Sequence, residues 1–303
     1  MNTKKTFLGY GAALCSAGFV GLFTVLNKWL LGEEVPSLTA GAWTYFAAGI
    51  ALLPWALRAG KVHFKRPKIA LLWLLAGSLV GPSLYFVGLK LTSGVQGVLM
   101  INMEAVFTAL IAFVIFKERL TRHAVWASIA ILAGGIWLSW PEGGAVFLTG
   151  GTIGNLLIAI GYLGWATENN LGRLLGEDVP PISLVCIKAL VAGVAMGCLA
   201  LMFGQPLGLS LRVIPGVIAS GSVSLGLSLA LFYTAMQYIG AGRAGLLSST
   251  SAFWGVVAAL LLLGEKLTSK TVFGGLLMLV GIAGFALDAR RGSVQTAKQA
   301  EAR

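Results

Sequence analysis

Two short stretches, Lys117-Glu118-Arg119-Leu120-Thr121 and Gly264-Glu265-Lys266-Leu267-Thr268, decide how this chain is organised. Each closes a long apolar run, and Glu265 follows Glu118 by 147 positions. The same offset, without gaps, pairs Leu99 with Leu246, Val125 with Val272, Leu132 with Leu279 and Gly134 with Gly281. One short match is a coincidence of composition, but an extended one in constant register is the mark of an internal duplication.

The apolar runs around these stretches have membrane length. Of 303 residues 57% are hydrophobic and only 11% charged, and the mean hydropathy is +0.87. A soluble domain carries about a quarter charged residues. A helix crossing the hydrocarbon needs roughly 20 apolar residues. Ten such stretches are predicted, near 7–30, 36–57, 69–89, 93–116, 123–140, 151–172, 181–203, 213–236, 242–263 and 270–287. The expected fold is therefore an all-α integral membrane protein of ten transmembrane helices. Residues 1–140 form one five-helix repeat and 151–287 the second, joined through the Gly-rich Pro141–Gly151 stretch, with a polar tail over 288–303.

Five spans is an odd number, so the second copy enters the bilayer upside down. Inverted repeats are a recurrent architecture of secondary transporters, with solute sites near the midplane between the halves.

The basic residues set a direction. With both termini cytoplasmic, the inner segments hold Lys4, Lys5, Arg58, Lys61, Lys65, Arg66, Lys68, Lys117, Arg119, Arg122, Arg173, Arg243, Arg290, Arg291, Lys298 and Arg303, which is 16. The outer segments hold five, Lys28, Lys90, Arg212, Lys266 and Lys270, while Lys188 lies within a span. This asymmetry satisfies the positive-inside rule. It also accounts for the net charge of +11 without nucleic acid as a partner. Trp29, Trp55, Trp73, Trp126, Trp137 and Trp140 lie near span ends, where an aromatic belt belongs. Lys4 and Lys5 resemble the start of a signal peptide, but the apolar run continues to Leu31, which favours a retained first helix. Cys15, Cys186 and Cys198 have no ligand spacing and are expected to be buried packing residues.

Each half ends in an apolar helix, then Gly/Lys-Glu-Arg/Lys-Leu-Thr, then a glycine-bearing helix. This pattern resembles the EamA domains of the drug/metabolite transporter (DMT) superfamily. Gly161-Tyr162-Leu163-Gly164-Trp165-Ala166, with Asn169, Asn170 and Arg173, resembles the start of the second such domain. The resemblance covers nearly the whole chain and specifies the superfamily but no substrate. It implies transport of small metabolites, and amino-acid exporters of the YddG type, with ten helices around a central cavity, are among such proteins. Many EamA domains carry a proline thirteen residues before the motif glutamate. Ala105 and Ala252 stand there instead, so the resemblance implies no proline kink.

Several polar residues fall within spans. Glu104 is mid-span, where a carboxylate is costly unless neutral, paired or facing a water-filled cavity. It is the candidate solute-binding and proton-coupling group, against the alternative of a glutamate that holds helices together. Its repeat equivalent is Ser251, which shares a face with Ser248. These hydroxyls bind a solute or support close packing. Asn102, two residues from Glu104, points to another face of an unbroken helix and is expected to bond between helices. Trp165, Glu168 and Asn169 share a face at i, i+3, i+4 spacing, as a cavity wall. The competing role for Glu168 is a structural ion pair with Lys188, because each is ten residues from Asp178 in the connecting hairpin. Trp254 and Tyr85 are mid-membrane aromatics, able to stack on a solute or simply to pack. Glu118 and Glu265, beside basic residues, are expected in structural salt bridges. Gly77-x-x-x-Gly81, Gly193-x-x-x-Gly197 and Gly216-x-x-x-Ser220 permit close helix contact, and the small residues Ser220 to Ser228 suggest either a moving element or close packing.

The function these features suggest is a secondary carrier of small polar metabolites, with amino-acid export first, in the inner (plasma) membrane of a bacterium. Export of amphipathic drugs, import of another metabolite and passage through a channel are the alternatives within transport. A membrane-embedded enzyme is disfavoured, because no Gly-x-Ser-x-Gly, His-Glu-x-x-His or phosphate-loop motif is present. No cofactor or metal is called for. The partners are a small solute, protons as candidate coupling ions and the bilayer, and the oligomeric state is open, with a monomer compatible.

Overall fold

The computed structural model describes residues 3–60, 62–117, 121–140, 149–175 and 180–284. Glu118, Asp178, most of the Pro141–Gly151 stretch and the 288–303 tail lie outside the described residues. The described secondary structure is helical throughout. In chain order it comprises α1 (Thr3–Gly32), α2 (Ser37–Arg58), α3 (Pro67–Leu74), α4 (Gly81–Leu91), α5 (Gly94–Met100), α6 (Met103–Phe116) and α7 (Arg122–Ser139). There follow α8 (Gly150–Leu175), α9 (Pro181–Met202), α10 (Ile214–Ile218), α11 (Ser228–Ile239), α12 (Ala241–Ser248), α13 (Ser251–Leu262) and α14 (Ser269–Gly284). Six helical segments are long and apolar enough to cross a membrane: Lys5–Gly32, Ser37–Arg58, Pro67–Leu91, Gly94–Phe116, Pro181–Met202 and Ile214–Ile239.

Local chemistry sets the helix ends. Pro67 and Pro181 open α3 and α9 from the first turn, where a missing N–H costs nothing. The Thr121 side chain caps α7 by accepting from the Ala124 N–H, and Ser93 caps α5 by accepting from Gln96 N–H. Gly240 and Gly264 turn the chain in the left-handed region, at φ 83° and 64°.

Burial follows the logic of a bilayer. Phe113, Val114, Ile115, Trp126, Ile136, Leu261 and Val280 are all exposed on the outer surface. Asn27, Thr44, Ser78, Asn155 and Ser220 are buried. An exterior so rich in large apolar side chains around a partly polar interior would be insoluble in water and fits lipid. Cys15 and Cys198 also face outward, and only Cys186 is buried, so the expectation that all three pack inside holds for one. Trp55, Trp126, Trp137 and Trp140 are exposed, as a belt requires, but Trp73 is buried among Ala70 and Leu175.

Helix irregularities recur at equivalent positions of the two halves. A π-helical segment, Leu75–Val80, joins α3 to α4, and another, Ala219–Leu227, joins α10 to α11. The next helix of each half is also interrupted, between α5 and α6 at 101–102 and between α12 and α13 at 249–250. The breaks occur without proline. Asn102 does not bridge helices as expected; its amide donates to the Leu99 carbonyl of its own helix at 2.9 Å. Ser220 to Ser228, far from unencumbered, is packed between α1 and α2, with Gly221 against the Thr44 carbonyl and Ser16 Oγ donating to the Ser228 carbonyl at 2.7 Å.

Candidate functional site

The polar residues of the interior gather where α6, α8 and α9 meet the π segment Leu75–Val80. Side chains of α8 take partners on different neighbouring elements. Asn169 turns to α6, and its Nδ2 donates to Glu104 Oε1 at 2.7 Å. One residue on, the Asn170 amide donates to the Thr108 carbonyl at 3.1 Å and the Ala166 carbonyl at 2.9 Å. Asn170 Oδ1 and Thr108 Oγ1 are buried without a hydrogen-bond partner. Glu104 is only partly buried.

Glu168 and Trp165 turn the other way. Lys188 Nζ on α9 donates to Glu168 Oε2 at 2.6 Å, with the Glu168 side chain 8% exposed. The π segment makes room for this pair. A Cβ at Gly77 would lie 2.3 Å from the Glu168 carboxyl, and one at Gly81 would lie 2.8 Å from Trp165 Nε1. Trp165 Nε1 donates to the Gly77 carbonyl at 3.2 Å, a group available to a side chain because the wider helix relaxes the usual ladder. Gly77 thus makes room for the Glu168 carboxyl and Gly81 for the Trp165 indole, and Gly81 also lies close to α8 at Gly161 and Gly164. Ser78 Oγ fixes α9 by donating to the Lys188 carbonyl at 3.1 Å.

An aromatic cluster backs the polar groups. Tyr85, Tyr162 and Trp165 are mutually packed at centroid distances of 5.1–5.9 Å. Tyr85 is fully buried, with its hydroxyl donating to Thr24 Oγ1 at 2.8 Å, so it is wall and not a stacking surface. Tyr45 and Tyr162, which the sequence did not single out, lie within electrostatic range of Glu104. Glu104 in turn lies within range of Lys188 and Glu168. The charge near the site is therefore two carboxylates against one ammonium.

The other sequence candidates lie elsewhere. Ser251 opens α13, which packs on α1 closely enough that a Cβ at Gly21 would meet the Ser251 carbonyl at 2.6 Å. Neither Ser248 nor Ser251 bonds to Glu104 or Trp165. In the 147-residue register Glu104 corresponds to Ser251, so its carboxylate has no acidic counterpart in the second half. Trp254 is 41% exposed and borders an apolar groove of about 370 Å³ between α1 and α13, with Cys15, Phe19, Leu22 and Leu261. None of the residues of the Glu104 cluster lines this groove. Glu265 is not in the expected salt bridge either; its carboxylate accepts two backbone N–H groups, from Gly94 and Val95.

Comparison with known proteins gives a consistent result. The model of the EamA-like transporter family matches residues 7–140 and, a second time, 152–287. An uncharacterized transporter of Methanothermobacter thermautotrophicus is 28% identical over 291 residues, covering 90% of this chain and 84% of that protein. The uncharacterized transporter YyaM of Bacillus subtilis is 27% identical over 280 residues, covering 87% and 88%. A solved crystal structure at 22% identity superposes with a TM-score of 0.63 over 95% of this chain and 97% of the other, a likeness of fold.

Proposed function

The chain belongs to the EamA-like transporter family, and from that membership we propose a secondary carrier that moves small polar metabolites through a central cavity by alternating access. In this reading ten helices form two inverted five-helix repeats, both termini are cytoplasmic, and the site lies in the cell's plasma membrane near the midplane between the halves. The observation that carries it is the Glu104–Asn169 pair. Glu168 is matched by Lys188 at 2.6 Å, whereas Glu104 receives only an amide at 2.7 Å. An intramembrane carboxylate without a cationic partner suits a solute ammonium or a proton. Amino acids offer that ammonium, together with a carboxylate able to accept from amide or hydroxyl groups, and their export is the favoured activity. Protons are the favoured coupling ions, and no oligomer is required. The apolar groove beside Trp254 supports a second reading, in which the solute is an amphipathic amine.

The test is counterflow in proteoliposomes against a panel of amino acids, amines and organic anions. Saturable exchange of an ammonium-bearing solute is expected, and uptake restricted to anions would remove the proposal. In Glu104→Gln, uphill transport driven by a pH gradient is expected to disappear; exchange survives if the carboxylate carries only the proton and is lost if it also holds the solute ammonium. An unaltered response to the gradient would take Glu104 out of coupling.

A further inference from the structure

The glutamate of the second Gly-Glu-Lys-Leu-Thr stretch makes one of the tightest polar contacts in the chain, far from Glu104. Glu265 Oε1 accepts the Gly94 N–H at 2.5 Å and Oε2 accepts the Val95 N–H at 2.8 Å. Ser93 Oγ accepts the next N–H, from Gln96, at 3.1 Å. The three leading donors of the bent helix Gly94–Phe116 are thus satisfied, two of them by a residue 170 positions away. Glycine at 94 leaves room for this approach: a Cβ there would lie 2.5 Å from Leu263 Cδ1 and 3.1 Å from Glu265 Oε1. The positive φ of Gly264 turns the chain just before the carboxylate. Lys28, whose ammonium donates to the Leu89 carbonyl at 3.0 Å, lies within electrostatic range of Glu265 and offsets its charge.

This contact ties together two elements that belong to opposite repeats. Behind it α5 packs on α13, with Val98 2% exposed and set against Gly255. The equivalent pair at the other end of the bundle, α6 and α12, makes no comparable contact among the described residues. Gly240 gives α12 no side-chain cap. The α5–α13 end of this crossing is therefore tied by the Glu265 clamp.

We propose that Glu265 is the latch of a gate: its carboxylate, clamped on the Gly94 and Val95 N–H groups, holds the α5–α13 end shut, and releasing it opens that end. The inference rests on the alternating-access reading above. It assigns the motif glutamate a role in the transport cycle that no solute contact provides. A carboxylate on a helix N-terminus combines charge-assisted hydrogen bonds with the helix dipole, so the clamp is strong yet reversible.

The experiment places a reporter behind the latch. Val98→Cys is made in the full chain with Cys15, Cys186 and Cys198 replaced by alanine, and labelled with a small membrane-impermeant maleimide in proteoliposomes. Slow labelling is expected with Glu265 present. Glu265→Gln and Glu265→Ala should each accelerate it by about tenfold, as loss of paired charge-assisted hydrogen bonds shifts the population toward the open end. Glu265→Gln keeps the side-chain shape and serves if the alanine variant does not fold, with gel-filtration profile and thermal midpoint as the check. Unchanged labelling in a folded variant would overturn the latch. Because labelling needs no solute, failure of the wild type to transport would count against the carrier reading and leave this measurement intact.

Discussion

Lys188 and Glu168 show how a single side chain is held in the membrane interior. The 2.6 Å ion pair lies against Gly77, with the Glu168 side chain 8% exposed and that of Lys188 22% exposed. Removing one charge strands the other in a low-dielectric setting, which costs far more than removing both. Lys188→Met should therefore destabilise the protein by on the order of 3 kcal/mol. Lys188→Met combined with Glu168→Gln should recover most of that loss, and thermal unfolding in detergent reports both. Equal losses in the single and double variants would mean the lysine stem, not its charge, matters there. The hairpin spacing about Asp178 put these two residues at similar depth from sequence alone. What could not be read was that Trp165 and Glu168 turn one way and Asn169 the other, because that depends on which neighbour offers room. Gly77 and Gly81 offer it only through the π segment, and π segments have no signature in an apolar helix.

At the scale of elements, the contrast between two glycines of α1 separates packing from mere permissiveness. A Cβ at Gly21 would meet Gly255 N and the Ser251 carbonyl, both at 2.6 Å, and neither backbone atom can rotate away. A Cβ at Gly18, one turn earlier, would meet nothing within 4 Å. Gly21→Ala is expected to cost about 1–3 kcal/mol by forcing α1 off α13, whereas Gly18→Ala should be neutral or slightly stabilising. Similar thermal midpoints for the two variants would show that the helices separate without loss. The Gly-x-x-x-small patterns of the sequence did find close approaches, as with Gly216 on Trp29 and Gly193 on Phe46. Gly21 ends the series Ala13-x-x-x-Ala17-x-x-x-Gly21, a small-residue pattern that the glycine-led motifs passed over. Such a pattern shows that close approach is possible, but which helix makes it is set by the tertiary arrangement. The helix breaks at 101–102 and 249–250 were likewise hidden, since Ala105 and Ala252 replace the residue type that would have announced them. Asn102 lies in the first of these breaks, and Trp254 follows the second by one turn of helix.

For the whole molecule, the membrane class follows from composition and span length, because a bilayer constrains length and polarity more tightly than any side-chain contact does, while the family was legible through the resemblance of the Glu118 and Glu265 stretches to EamA domains. Direction is a separate matter and depends on where the basic residues fall. Sixteen lysines and arginines belong to segments assigned to the cytoplasm and five to the other side. Glu33, assigned to that other side, accepts from Arg212 Nη2 at 3.2 Å, so the two loops that carry them meet at one end of the bundle. Lys270 donates to the Trp140 carbonyl, which brings the start of α14 to the end of α7. Both contacts join segments that the charge rule assigns to the same face. If five helices separate the N-terminus from the middle of the chain and five more follow, the middle lies outside while both ends lie inside. Two fusions test this with a reporter that is active only outside the cytoplasm. Joined after Arg303 it should be silent, and joined after Gly143 it should be active. Activity at both points, or at neither, would put the middle and the end of the chain on the same face. The second half would then contain an even number of spans, and an inverted five-helix repeat could not stand. The reverse pattern, active only after Arg303, would keep the inversion and overturn the orientation, showing that the basic segments face outward against the positive-inside rule.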